Sequence, residues 1–159
     1  MTDKGTDMNE GLVGTNVICQ VALVVRDIEK TSKAWADVLG VAPPPIRVTA
    51  PLAESGARYK GKPTSARAKL AFFDCGGVRL ELIEPIGGPS TWKDFLDAHG
   101  GGMHHVAFQV KGTDAVVRRL AERGMNLVQQ GKYAGGQYTY VDAEDTLGAV
   151  IELLENFDT

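Results

Sequence analysis

Residues that bind metals or move protons recur at matched places along this chain. Gln20 opens the apolar run Gln20-Val21-Ala22, and His105 opens His105-Val106-Ala107. Glu81 stands second in Leu80-Glu81-Leu82-Ile83-Glu84, and Glu152 stands second in Ile151-Glu152-Leu153-Leu154-Glu155. Carboxylates serve as bases and hard ligands, imidazole as ligand or proton carrier, and an amide oxygen as a weaker, hard ligand. Taken singly, each residue has a plainer explanation. A strand glutamate often faces solvent, a histidine is often just hydrogen-bonded in place, and a lone glutamine says nothing. Taken together they interrupt apolar strands at equivalent points. A carboxylate buried alone in such a strand is costly unless it is paired or metal-bound. One shared polar site accounts for all four.

Alternate residues of a strand share a face, so Gln20 points with Ala22, His105 with Ala107, Glu81 with Ile83 and Glu152 with Leu154. By the same rule His104 points away from His105 and reads as structural.

The elements that must carry these residues follow from local pattern. Residues 17–25 read as a buried strand. Asp27 caps a helix whose apolar positions Ile28, Ala34, Trp35, Val38 and Leu39 have helical spacing, and Gly40 ends it. Pro43-Pro44-Pro45 blocks any continuation, and a short strand is predicted at 46–49. Residues 51–65 lose periodicity and read as a long loop carrying Arg58, Tyr59, Lys60, Lys62 and, just beyond, Arg67. These form either a solvated surface or an anion-binding lip. Strands at 67–73 and 78–84 flank a turn at Asp74-Cys75-Gly76-Gly77. Ser90 caps a short helix to about Ala98, and Gly100-Gly101-Gly102 forms a joint. The pattern then restarts with a strand at 103–110, a helix at 113–123, a short strand at 127–129 and strands at 137–141 and 149–154. Val25 lies over Val110, and Gly40 over Gly124 with a shift of one residue. An internal repeat in this order predicts two βαβββ modules, 16–86 and 103–156, joined by a linker at 87–102 that holds the short helix. Residues 1–15 read as a disordered leader.

Bulk properties narrow the function classes. With 159 residues and a net charge of −3, the chain suits one domain or two small halves sharing a core, and it shows no basic stripe for nucleic acid. No apolar stretch approaches a membrane span and no signal segment is evident, so a cytoplasmic protein is expected. Cys19 and Cys75 lie in strand-like runs and read as buried thiols rather than as a disulfide framework.

The repeat, the run His104-His105-Val106-Ala107-Phe108-Gln109-Val110 and the two glutamate pentads resemble the vicinal oxygen chelate (glyoxalase/bleomycin resistance/dioxygenase) superfamily. Within it, residues from Glu81 through the short helix to Gly102-Met103-His104-His105 most resemble the methylmalonyl-CoA epimerases. The resemblance implies an α+β fold in which two βαβββ modules form a cupped, incomplete barrel around a divalent metal. It places the ligands at Gln20, Glu81, His105 and Glu152, with Glu152 as the catalytic base. The family usually has His where this chain has Gln20, a change that favours Mn, Co or Mg over tightly tetrahedral Zn. The implied activity is epimerase or isomerase chemistry that moves a proton beside a carbonyl through a metal-stabilised enolate. Alternatives in the same fold are a glyoxalase I-type lyase and a non-catalytic, resistance-type binder of small molecules. The implied partner is a small molecule such as an anionic acyl-CoA or a keto compound, and a homodimer is expected. In the epimerases a glutamate from the loop before the third strand acts as opposite base. Here Glu54 is the loop's sole carboxylate, and Pro63 falls at the matching place.

Overall fold

The helix predicted after the first strand forms as its ends dictate. In a computed structural model describing residues 11–157, α1 spans Ile28–Leu39. The Asp27 carboxylate accepts from the Lys30 amide at 3.1 Å, and Gly40 closes the helix in the left-handed conformation. The other elements are β1 (Gln20–Val24), β2 (Arg47–Val48), α2 (Leu52–Ser55), β3 (Arg58–Tyr59), β4 (Lys62–Pro63), β5 (Arg67–Asp74), β6 (Arg79–Ile86), α3 (Thr91–His99), β7 (Gly102–Gln109), α4 (Thr113–Ala121), β8 (Asn126–Tyr133), β9 (Gly136–Asp142), α5 (Glu144–Leu147) and β10 (Val150–Asn156).

The strands form one curled mixed sheet in the order β2-β5-β6-β1-β7-β10-β9-β8-β3-β4. This is the cupped α+β architecture that the superfamily resemblance implied. At its centre β1 runs parallel to β6 and antiparallel to β7, while β7 runs parallel to β10. The register is symmetric. Gln20 faces Ala107 and Ala22 faces His105 across the β1–β7 seam, while Glu81 pairs with Ala22 and Glu152 with Ala107. Exchanging the two halves therefore carries Gln20 onto His105 and Glu81 onto Glu152.

Strand alternation assigns the faces. Leu80 and Leu82 turn outward and pack with Ile28, Ala36 and Phe73 under α1. Ile151 and Leu153 do the same with Val116, Leu120 and Val141 under α4. Each fully buried leucine contributes roughly 2 kcal/mol of transfer free energy. The glutamates between these leucines are thereby forced onto the inner face. A third cluster, including Ala22, Ala68, Ile83, Trp92 and Tyr140, lies on the inner side with α3 packed against it.

Several expectations need correction. The segment 51–65 is not a plain loop, because it holds α2 and the β3–β4 hairpin, and Tyr59 of β3 pairs with Gln129 of β8. Lys60 and Gly61 form its two-residue turn with both φ values positive (51° and 77°), a conformation glycine adopts freely and lysine rarely. The short strand foreseen at 127–129 is the eight-residue β8. Cys75 is exposed, because it lies in the turn rather than in a strand, and Cys19 is half-buried. Of the leader foreseen over 1–15, residues 1–10 lie outside the described part, whereas Leu12 and Val13 pack against the α4 cluster. Among the described residues no helix is long and apolar enough to cross a membrane.

Candidate metal centre and cavity

The symmetric register brings Gln20, Glu81, His105 and Glu152 to one point on the inner face, all but fully buried. Nε2 of His105 lies 2.9 Å from Oε2 of Glu152 and 3.4 Å from Oε2 of Glu81. The Gln20 amide nitrogen donates to the same two oxygens, at 2.7 Å to Glu81 and 3.0 Å to Glu152. Its amide oxygen accepts from Arg79, 3.1 Å from Nε and 2.9 Å from Nη2. The Arg79 guanidinium lies over the Phe72 ring, 4.4 Å from its centroid.

Two observations indicate that this group fits a divalent cation. Ligand atoms of Glu81, His105 and Glu152 all lie within 4.8 Å of one another. His105 Nε2 is buried without a hydrogen-bond partner, since the carboxylates are close enough but not aligned with it. Two carboxylates and an imidazole are ligands suited to Mn, Co, Mg or Zn. The electrostatics agree. Burial raises the pKa of Glu81, and the Glu152 charge raises it further. Burial opposes charge on His105, but the Glu152 and Glu81 carboxylates outweigh it and bring its pKa to about 9. In the metal-free protein a proton on His105 thus partly compensates charge that a cation would neutralise.

Gln20, Glu81 and Glu152 line a cavity of about 740 Å³, while the fully buried His105 does not itself line it. Phe72, Trp92, Tyr138 and Tyr140 supply aromatic lining, and Arg47, Arg79 and Lys132 supply positive charge. Tyr140 pairs with Glu152 across β9–β10, and its hydroxyl accepts from Trp92 Nε1 at 3.0 Å. Burial lifts the Tyr138 hydroxyl to a pKa of about 12 and pushes the Tyr140 hydroxyl well up as well, so both stay protonated.

The four matched residues therefore meet. The loop cations do not join them. Arg58 bonds the Gly61 carbonyl, Tyr59 bonds Asp94, Lys60 lies 3.9 Å from Asp94, and Arg67 donates to the Thr49 carbonyl at 2.9 Å. Glu54 is exposed on α2 and does not line the cavity. Arg79 was missed from the sequence, although it stands two residues before Glu81 on the same strand face. His104 also departs from expectation. A β-bulge leaves it unpaired between Met103 and His105, which face Leu23 and Ala22. Its ring consequently turns toward His105 instead of away.

Comparison with known proteins bears on the same residues. Residues 19–141 match the model of the Glyoxalase/Bleomycin resistance protein/Dioxygenase superfamily. The chain belongs to this superfamily. Among its members, the mitochondrial methylmalonyl-CoA epimerase of Mus musculus is 30% identical over 137 residues, covering 84% of this chain and 69% of that protein. The methylmalonyl-CoA epimerase structure from Mycobacterium tuberculosis superposes with a TM-score of 0.61 at 22% identity, covering 93% of this chain and 91% of the other. A variant of the Streptomyces coelicolor methylmalonyl-CoA epimerase, in complex with 2-nitronate-propionyl-CoA, gives a TM-score of 0.59 at 18% identity over 87% of this chain and 96% of that one. These likenesses support the superfamily fold across nearly all the described residues.

Proposed function

We propose that this chain is a metal-dependent epimerase that moves a proton on the carbon beside the carbonyl of an acyl-CoA thioester. The observation that carries this reading is the buried Glu81–His105–Glu152 group, with its unpartnered imidazole nitrogen, whose two glutamates line a 740 Å³ cavity. The relatives named methylmalonyl-CoA epimerase supply the substrate class, and the Streptomyces coelicolor complex carries an acyl-CoA analogue. Arg47, Arg79 and Lys132 give the cavity positive charge for an anionic substrate.

Glu81, His105 and Glu152 would hold the cation, and Gln20 would supply a further donor if its amide turned its oxygen inward. Bound there, a divalent ion supplies Lewis-acid stabilisation for negative charge developing on the substrate carbonyl oxygen. Glu152 takes the proton from the adjacent carbon. Return of a proton on the other face needs a second group. With Glu54 outside the cavity, that role falls to Glu81, the symmetry mate of Glu152. Gln20, donating to both carboxylates, fixes their position relative to each other.

The test is exchange of the substrate α-proton in deuterated water, followed by proton NMR with methylmalonyl-CoA and metal-loaded protein. Wild type should exchange it, and Glu152→Gln should slow exchange by about 100-fold or more. Wild-type exchange in that variant would remove Glu152 as the base. One observation also favours a glyoxalase-type lyase. Two symmetry-related carboxylates can pass a proton between adjacent carbons as readily as between two faces of one carbon. Turnover of a hemithioacetal without exchange of the acyl-CoA would select that reading instead.

A further inference from the structure

His104 is buried and titratable, and the proposed chemistry does not use it. The β-bulge sets it beside His105, with the two Nδ1 atoms 2.8 Å apart. At the far side of its ring, Nε2 lies 3.2 Å from Oγ1 of Thr91, the first residue of α3. Phe95 and Tyr140 meet the ring edge-on, with centroids 5.3 Å and 5.5 Å away, so its plane is fixed by packing. Thr91 is fixed in turn, because its amide donates to Gln129 Oε1 at 2.9 Å.

Two imidazole nitrogens at hydrogen-bond distance need one hydrogen and one lone pair between them. If His105 offers the lone pair of Nε2 to a cation, its own hydrogen must sit on Nδ1. His104 Nδ1 must then be the acceptor. Under the same condition His104 would carry its hydrogen on Nε2, 3.2 Å from the Thr91 hydroxyl, and donate it there. A ligating histidine usually gives its second N–H to a carboxylate or carbonyl. Here a neutral imidazole takes that part, next to a centre that already holds two carboxylates, so orientation comes without a third negative charge.

We infer that His104 is the positioning residue for the metal centre: as the Nε2–H tautomer tied to Thr91, it accepts from His105 Nδ1 and aims His105 Nε2 at the space between Glu81 and Glu152. This role rests on the cation-holding reading of the site, and one measurement tests it separately. In wild-type protein with ¹⁵N-labelled histidine, long-range nitrogen–proton NMR correlations identify the tautomer of each ring. His104 should show the Nε2–H pattern both metal-free and with Zn²⁺ added, and His105 should show Nδ1–H once Zn²⁺ is bound. Nδ1–H on His104 in the metal-free protein overturns the inference even if no Zn²⁺ binds, an outcome that would by itself undo only the metal-dependent function.

Calorimetry adds a second readout. His104→Leu should lose about 10- to 100-fold in Zn²⁺ affinity. His104→Gln, which keeps an acceptor atom, should recover part of that loss. A lower melting temperature with unchanged Zn²⁺ affinity in His104→Leu would mean that His104 only packs, and would overturn the proposal. Should the leucine variant fail to fold, the wild-type tautomers decide.

Discussion

Gln20 stands where the superfamily usually has histidine, and Arg79 governs what that exchange means. Its guanidinium occupies the Gln20 amide oxygen with two hydrogen bonds and turns the amide nitrogen to Glu81 and Glu152. An amide turned the other way would place its NH₂ group against a cationic donor. Arg79 thus sets Gln20 as a clamp on the carboxylates and also adds positive charge near the cation site. Arg79→Met should release the amide oxygen and tighten Mn²⁺ binding by about 5-fold, the equivalent of one hydrogen bond of about 1 kcal/mol. Calorimetry of wild type and variant checks this, and unchanged or weaker binding in the variant would contradict it. The four matched residues were legible in the sequence because duplication placed them at equivalent steps of equivalent strands. The contact of His104 with His105 was not, because one bulged residue reverses strand alternation without any sign in composition.

Elements were legible where their ends carry strong chemistry. Asp27 and Ser90 cap the helices predicted for them, accepting from Lys30 and Lys93 amides at 3.1 Å and 3.0 Å. The β3–β4 hairpin was not legible, since two-residue strands have no periodicity and Lys60 takes a turn conformation usually signalled by glycine or asparagine. Helix α4 lacks a side-chain cap of its own. Glu155, from β10, supplies one by accepting from the Gly112 and Thr113 amides at 2.9 Å and 3.1 Å and from the Thr113 hydroxyl. Those bonds, the Thr113 hydroxyl foremost, hold its pKa down at about 2, from an ordinary value of 4.5. A depressed carboxylate pKa adds stability above the unfolded value and loses it as pH falls toward the folded one. Glu155→Gln should therefore cost on the order of 1 kcal/mol at neutral pH, the typical worth of a helix cap. Melting curves of wild type and variant should converge as pH drops from 4.5 toward 2. A constant gap across that range would show that the carboxylate charge contributes nothing.

Across the whole molecule, the symmetric seam between β1 and β7 is what turns a duplicated sequence into a single centre. Neither half contains the group alone, because Gln20 and Glu81 come from one half and His105 and Glu152 from the other. The β3–β8 pairing adds a second tie between the halves. The outer leucines pack under the helices, and that packing drives the intervening glutamates inward against their own cost of burial. A cation bound by Glu81, His105 and Glu152 would offset that cost, which would couple cation binding to the fold. Titration of metal-free protein with Mn²⁺, followed by calorimetry, tests this most directly. Wild type should take up one ion per chain, and Glu81→Gln combined with Glu152→Gln should abolish uptake while the chain stays folded. Wild type that binds no divalent ion, or a double variant that binds as tightly as wild type, would contradict the assignment of this centre.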